Sequence, residues 1–290
     1  MSAAPAPPPA AAAAGVRARR QRPPLLVLLA MVVVAATVVC AIAGAAIAPH
    51  DPDAQDLVAG LQTPSAAHLL GTDDSGRDLF SRLIAGARTA LVGPLLMMLG
   101  AAVIGTVLGL IAGYFGGWRD SAIMRAVDVV YALPSLLVAI ILVGVIGGGY
   151  AVAVGILVVL FGPADARLIR GATLAQRSLP YVDAARTLGL SRRTIMFRHI
   201  WPNILPLIVA NAFLNFAYAL VALSAMSFLG IGVAPGEADW GRMLNDNLSL
   251  IEDNPVAVLA PGIALVLLAV AMNLLGDWAY ERLSDRGRAR

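Results

Sequence analysis

The chain has 290 residues, 59% of them hydrophobic and 13% charged, with a net charge of +3 and a mean hydropathy of +0.79. A soluble domain of this length needs a larger charged surface than that, so composition assigns the chain to a membrane. All 21 basic residues are Arg, and the lack of Lys excludes a Walker A phosphate loop and a Schiff-base enzyme. The single cysteine, Cys40, lies in an apolar run, which rules out an intrachain disulfide and fits a small core thiol.

Residues 1–24 are Ala- and Pro-rich and then basic (RARRQR), with no apolar periodicity; a disordered basic cytoplasmic arm is expected. A membrane helix needs about 20 mostly apolar residues to cross a hydrocarbon layer of about 30 Å. Six segments qualify: Leu25–Ala48, Arg88–Gly113, Ala122–Ile146, Tyr150–Ile169, Asn203–Gly230 and Pro255–Trp278. Ala46-Ile47-Ala48 imitates a signal-peptidase site, but the apolar run before it is too long for a leader and Pro49 follows directly; the first span reads as an uncleaved anchor. With the N-terminus inside, 17 Arg fall in cytoplasmic segments, and only Arg77, Arg82, Arg88 and Arg242 fall outside. The positive-inside rule therefore puts both termini in the cytoplasm of a multi-pass cell-membrane protein.

Gly105, Gly109, Gly113 and Gly117 repeat every four residues, a small-residue stripe that lets helix backbones approach closely in lipid. Pro94, Pro134, Pro163 and Pro206 suggest kinks. Asn211 and Asn215 share a helix face, and Ser224 and Ser227 follow on the same span. Interhelical hydrogen bonding is the plain reading, and a polar translocation path the sharper one. Asp128, one turn after Arg125, suggests a local ion pair. No chain of carboxylates crosses the membrane. The outer segments 50–87 and 231–254 hold most of the acids, including the run Asp73-Asp74-Ser75-Gly76-Arg77-Asp78. Its Gly comes fourth, and Ile84 stands where an EF-hand needs Glu, so no calcium loop is expected. A turn capping the second span, with Asp78 near the helix start, accounts for it. No metal site is expected in the chain.

Between the fourth and fifth spans comes an Arg-rich polar break, YVDAARTLGLSRRTIMFRHIWPNILP over 181–206. Pro180 ends what precedes it, YVDAARTLGL forms a short helix with Ala184 and Ala185 on one side, and Gly189 interrupts it. Gly189 allows either positive φ or close backbone approach. Ser191 caps a second short helix, Arg192–Trp201, which Pro202 stops. Two short helices parallel to the membrane result, with Ile195, Met196, Ile200 and Trp201 inward and Arg192, Arg193 and Arg198 outward.

This break resembles the EAA loop of ABC importer permeases: Glu-Ala-Ala, three residues, Gly, nine residues, Ile, any residue, Leu-Pro. Asp183-Ala184-Ala185, Gly189 and Pro202 keep the spacing, while Asp183 replaces Glu, His199 replaces Ile and Trp201 replaces Leu. HLLGTDDSGRDLFSRLIAGART (68–89), GYFGGWRDSAIMRAVDVVYALPSLLVAI (113–140), RHIWPN (198–203) and SFLGIGVAPGEADWGRML (227–244) are similar to the C-type permease subunit of dipeptide and oligopeptide importers. The resemblance covers roughly residues 20–280 and implies an all-α, six-span type I importer fold. The first helix with its outer loop would occupy 25–87, a five-helix core 88–278 with the coupling loop at about 171–203, and a cytoplasmic tail 279–290. It implies that Asp183, Ala184, Ala185, Gly189, His199 and Pro202 engage a separate ATPase subunit. Gly71, Thr72, Asp73, Gly76, Arg77 and Asp78 would then lie where a substrate-binding protein delivers peptide. A second homologous permease and membrane lipid would be the other partners, with no nucleic acid. No cofactor is expected in this chain, since ATP and magnesium would bind the ATPase subunits. Nickel importers have closely similar permeases; a self-sufficient secondary transporter would show inverted repeats and intramembrane carboxylates.

Overall fold

The computed structural model describes residues 23–147 and 149–288; the expected N-terminal arm lies almost wholly outside them. Inside lipid every backbone polar group needs an internal partner, so an apolar chain of this kind folds as helices. The described residues form ten: α1 (Leu25–Ile47), α2 (Leu79–Phe115), α3 (Gly117–Tyr131), α4 (Ser135–Ile146), α5 (Tyr150–Arg177), α6 (Pro180–Thr187), α7 (Arg192–Thr194), α8 (Trp201–Phe228), α9 (Trp240–Asp246) and α10 (Pro255–Arg288). They contain no strand, only an isolated bridge between Thr72 and Asp78.

Among the described residues, five helical runs are long and apolar enough to cross a membrane, and a sixth span requires α3 and α4 to be counted together. The sequence suggests one continuous span over Ala122–Ile146. The structure breaks it, with α3 and α4 meeting at 78°. Pro134 is the cause: it offers no N–H to the helix and pushes the residue before it out of the helical region. Arg119, Asp120, Arg125 and Asp128 make α3 polar, whereas Ser135–Ile146 is apolar throughout.

α2 begins nine residues earlier than hydropathy suggests, at Leu79, because Asp78 caps it by accepting from the Ser81 N–H at 2.8 Å. At 37 residues it runs roughly 55 Å, well beyond the hydrocarbon layer. Its glycine stripe faces α5. A Cβ at Gly109 would lie 2.8 Å from both the Ala166 carbonyl and Ile169 Cβ, and one at Gly113 would lie 2.7 Å from Thr173 Cβ. At Gly105 a Cβ would overlap Asp165. Gly117 does not belong to this seam: it opens α3 at φ +60 with open space around it.

Three buried clusters make up the core. Leu79, Phe216, Trp240, Met243 and Leu268 belong to the first, which reaches the acidic loops. Met97, Ala101, Leu157, Leu223 and Met226 form a second, joining α2, α5 and α8. Leu110, Tyr114, Ile169, Val182, Ile195 and Ile200 fill the arginine-rich end.

The polar break departs from expectation at its second half. No stop occurs at Pro202: α7, a π-helical turn over Ile195–Ile200 and α8 form one run, Arg192–Phe228. Pro202 is tolerated because it follows directly on the π turn, where the hydrogen-bond register changes and a missing N–H is accommodated.

The seam yields a direct test. Gly109→Leu should lower the thermal midpoint of the purified chain sharply, since the clash at Ala166 is with backbone; overpacking of this kind costs about 1–3 kcal/mol. Gly144→Ala, at a helical position with nothing within 4 Å, should leave the midpoint unchanged or slightly raised.

Candidate functional site: a capped turn, a buried polar contact and an acidic loop

At the arginine-rich end, Pro180 opens α6 at a position that needs no N–H, and Gly189 ends it. The Leu190 N–H reaches the Ala185 carbonyl at 3.2 Å and the Gly189 N–H reaches the Arg186 carbonyl at 2.9 Å, a Schellman closure that requires positive φ at Gly189, here +75°. Nothing within the chain lies within 4 Å of a Cβ placed there. Positive φ, rather than close approach inside this subunit, is therefore what the glycine supplies. Ser191 Oγ then accepts from the Thr194 N–H at 3.1 Å and starts the next helix.

Burial sorts the residues of this segment. Val182 and Ala185 are buried against Ile195, Met196 and Ile200, so Ala185 serves the interior. Asp183, Ala184, Gly189 and Pro202 are exposed, His199 is half-buried, and Trp201 turns outward, not inward. Asp183 pairs with Arg186 at 2.9 Å on the open surface, where such pairs contribute about 0–1 kcal/mol. The His199 carbonyl accepts from Asn203 Nδ2 at 2.7 Å. Leu188, unremarkable in the sequence, is the apex, 79% exposed.

Deeper in the bundle, Asn211 and Asn215 do not stand free. Both donate to Asp165 of α5, Asn211 at 2.7 Å and Asn215 at 2.9 and 2.8 Å to its two carboxylate oxygens. Asp165 is buried on the seam beside Gly105. Sequence reasoning passed over it. The available signal was a lone acid in an apolar span, which in lipid needs a partner. Ser224 borders an apolar hollow of about 410 Å³ with Val221, Phe228, Leu229, Leu244 and Leu265. Ser227 is buried, and its hydroxyl has no hydrogen-bond partner among the described residues. The four polar residues of α8 thus do not form one lining. Asp128 also departs from expectation. Its partner is Arg167 of α5, not Arg125, and Arg167 in turn lies 4.8 Å over the Tyr131 ring.

At the other end the loop before α2 is tightly bonded. Asp73 accepts from the Arg77 N–H at 2.9 Å and from Arg77 Nε at 2.7 Å. Gly71 and Gly76 take positive φ, and Thr72 Oγ1 donates to the Ala59 carbonyl at 2.6 Å. Burial raises the Asp78 carboxyl, but hydrogen bonds from Ser81 and His68 outweigh it and hold the group below the usual carboxylate range. Arg82 is the tie that the sequence did not disclose. Buried completely, it donates to the carbonyls of Pro52, Gly236 and Glu237 at 3.1–3.2 Å, joining the loop after α1 to the loop before α9. Gly71, Thr72, Asp73, Gly76, Arg77 and Asp78 are therefore together in one ordered loop.

Residues 105–288 match the family described as "Binding-protein-dependent transport system inner membrane component". The glutathione transport system permease protein GsiD of Pectobacterium atrosepticum is 40% identical over 77% of this chain and 74% of that protein. The dipeptide transport system permease protein DppC of Alkalihalophilus pseudofirmus is 38% identical over 78% of this chain and 74% of its own length. The probable D,D-dipeptide transport system permease protein DdpC of Escherichia coli K12 is 36% identical over 83% and 80%. A solved structure of the MetNI methionine ABC transporter, in an inward-facing conformation, superposes with a TM-score of 0.56 at 20% identity, covering 70% of this chain and 96% of that one. The fold is that of a type I ABC importer permease. The chain belongs to the binding-protein-dependent permease family and is a multi-pass membrane subunit of an ABC importer.

The buried contact makes a comparative prediction. Asp165→Ala leaves two amides without their acceptor and should lower the thermal midpoint by the equivalent of about 1–2 kcal/mol. Asp128→Ala breaks an exposed pair and should cost under about 1 kcal/mol. Equal shifts in a side-by-side melt would contradict the assignment.

Proposed function

We propose that this subunit forms half of the pathway of an ATP-driven importer of di- and oligopeptides, working with a second homologous permease. Its α6–α7 turn seats in a separate ATPase subunit. The observation that carries the coupling role is the apex of that turn. Leu188 offers an apolar side chain to solvent beside exposed Ala184 and Gly189, on a helix held by buried Val182 and Ala185. Single exposed leucines are ordinary, but exposed Leu190 and Phe197 lie in the same polar segment as Leu188, and a docking surface would cover all three. Peptide as substrate is supported by the three relatives, named for glutathione, dipeptide and D,D-dipeptide transport.

ATP and magnesium belong to the ATPase partners in this reading, and the chain itself is not an enzyme. The apolar, outward side of α1, with Leu25, Leu28, Leu29, Val32 and Ile42 exposed, meets lipid or the second permease. Gly71, Thr72, Asp73, Gly76, Arg77 and Asp78 are all buried and build the frame of the loop before α2, tied through Arg82 to Gly236 and Glu237. Asp74 and Ser75 are its surface toward the substrate-binding protein. Ser224, at the edge of its hollow, is the candidate path residue of α8 left most open.

Two measurements test these readings. Leu188→Glu changes a side chain with no buried role, so insertion and melting should match wild type while co-purification of the ATPase subunits and ATP-dependent uptake are lost. Retained ATPase binding would remove the turn from the coupling path. For orientation, the uneven distribution of Arg among the segments between spans supports both termini inside. A reporter active only outside the membrane should be silent when fused after Arg290 and active when inserted at Gln62; the reverse pattern inverts the topology.

A further inference from the structure

The chain has three histidines, and two of them meet on one carboxylate. His50 follows Pro49 directly after α1, His68 lies in the loop 18 residues later, and Asp78 caps α2. His68 Nδ1 is 2.9 Å from Asp78 Oδ1, His50 Nδ1 is 3.7 Å from Asp78 Oδ2, and the two rings are 4.9 Å apart at 32°. One ligand atom from each residue falls in a group within 4.8 Å. We propose that His50, His68 and Asp78 form a binding site for a divalent transition-metal cation of the zinc class, which fastens the end of α1 and the following loop to the start of α2.

The donor set and its spacing carry the assignment. Nitrogen and oxygen ligands at about 2.0–2.1 Å from a tetrahedral ion lie roughly 3.3 Å apart. His68 Nδ1 lies 2.9 Å from Asp78 Oδ1 and His50 Nδ1 lies 3.7 Å from the other oxygen, Oδ2. With one ligand atom taken from each residue the three donors fall within 4.8 Å of one another, and a modest closure brings them to the tetrahedral spacing. His50, with its side chain 44% exposed, is free to close the remaining gap to His68. Two imidazoles with one carboxylate suit zinc, nickel or copper, and leave a position open to water. They do not suit calcium, which takes six to eight oxygens.

Support behind the ligands is already in place. Buried Ser81 donates from Oγ and from its N–H to Asp78 Oδ2, at 2.7 and 2.8 Å, and its Oγ accepts from the His50 N–H at 3.0 Å. One residue thus orients two of the three ligands, as the supporting partners of metal ligands do. Asp51 and Asp53 follow His50 and favour a cation. The two buried arginines of this region are turned to other partners, Arg82 to the carbonyls of Pro52, Gly236 and Glu237 and Arg77 to the Asp73 carboxylate. The inference does not rest on which solute the importer carries.

The experiment uses the full chain without a polyhistidine tag, in lipid nanodiscs, stripped with EDTA and titrated with zinc chloride. One zinc should bind per chain at micromolar concentration, raise the thermal midpoint, and resist competition by millimolar calcium. Cobalt in its place should give the visible absorption of a low-coordinate site. His50→Ala and His68→Ala should each weaken zinc binding by at least about tenfold and abolish the zinc-dependent rise in midpoint. His199→Ala, at the opposite end, should change neither. His50 is exposed, so its variant folds whatever the fate of the His68 variant. No zinc bound at micromolar concentration, or equal binding by wild type and the His50→Ala/His68→Ala double variant, overturns the proposal.

Discussion

Backbone contact between α2 and α5 is the constraint on which the rest of this subunit depends. Lipid supplies no hydrophobic drive between helices, so association comes from close packing and from the few polar bonds available. Gly105, Gly109 and Gly113 remove the side chains that would keep the two helices apart, and Gly162 on α5 repeats the device against Ile104. The same approach brings Asp165 next to Gly105, where Asn211 and Asn215 of α8 satisfy it. A third helix is thereby fixed to the pair by a polar contact that adds to its apolar packing through Phe216, Leu223 and Met226. Glycine costs helix propensity in water, but here the whole bilayer-embedded chain is already committed to helix, and close packing along the seam offsets the penalty.

The two ends of the bundle solve different problems. At the acidic end the loops are long. Arg82 supplies donors to their backbone carbonyls from inside, Arg77 holds the Asp73 carboxylate, and the resulting loop is held by side chains instead of a sheet. At the arginine-rich end the connections are short, closed by a Schellman turn at Gly189 and by Ser191 as a cap. Order there comes from the hydrophobic cluster beneath α6, which leaves the surface of the turn free.

Much of this was legible in the sequence, for identifiable reasons. Hydropathy located the spans, and the four-residue glycine period marked the α2 seam because packing in lipid selects small residues directly. Asp183-Ala184-Ala185 with Gly189 marked the turn because the spacing is local. What escaped depends on partners far along the chain. Arg82 reads as an ordinary charge until Gly236 and Glu237 are brought to it, 154 and 155 residues away. Asp165 is one acid in an apolar run until Asn211 and Asn215 face it across two helices. The break at Pro134 and the passage through Pro202 show the same residue type with opposite outcomes. Pro134 falls inside a would-be span, whereas Pro202 falls in the first turn of α8, where the π-helical stretch has already loosened the backbone ladder. Composition alone does not separate these cases.

The run from Arg192 to Phe228 spans 37 residues, roughly 55 Å along its axis, with one π turn near its beginning. A helix is stiff to a push along its axis, and its weak point is wherever the regular ladder is interrupted. Here the interruption lies at Ile195–Ile200, packed into the cluster at the arginine-rich end, and the Asp165 anchor lies beyond it, at Asn211 and Asn215. The arrangement is that of a rod with a flexible joint at its handle and a pinned collar further along. Load applied at the Ser191 turn can pivot the handle, while the part of α8 beyond the collar can move only together with α5 and, through the glycine seam, with α2.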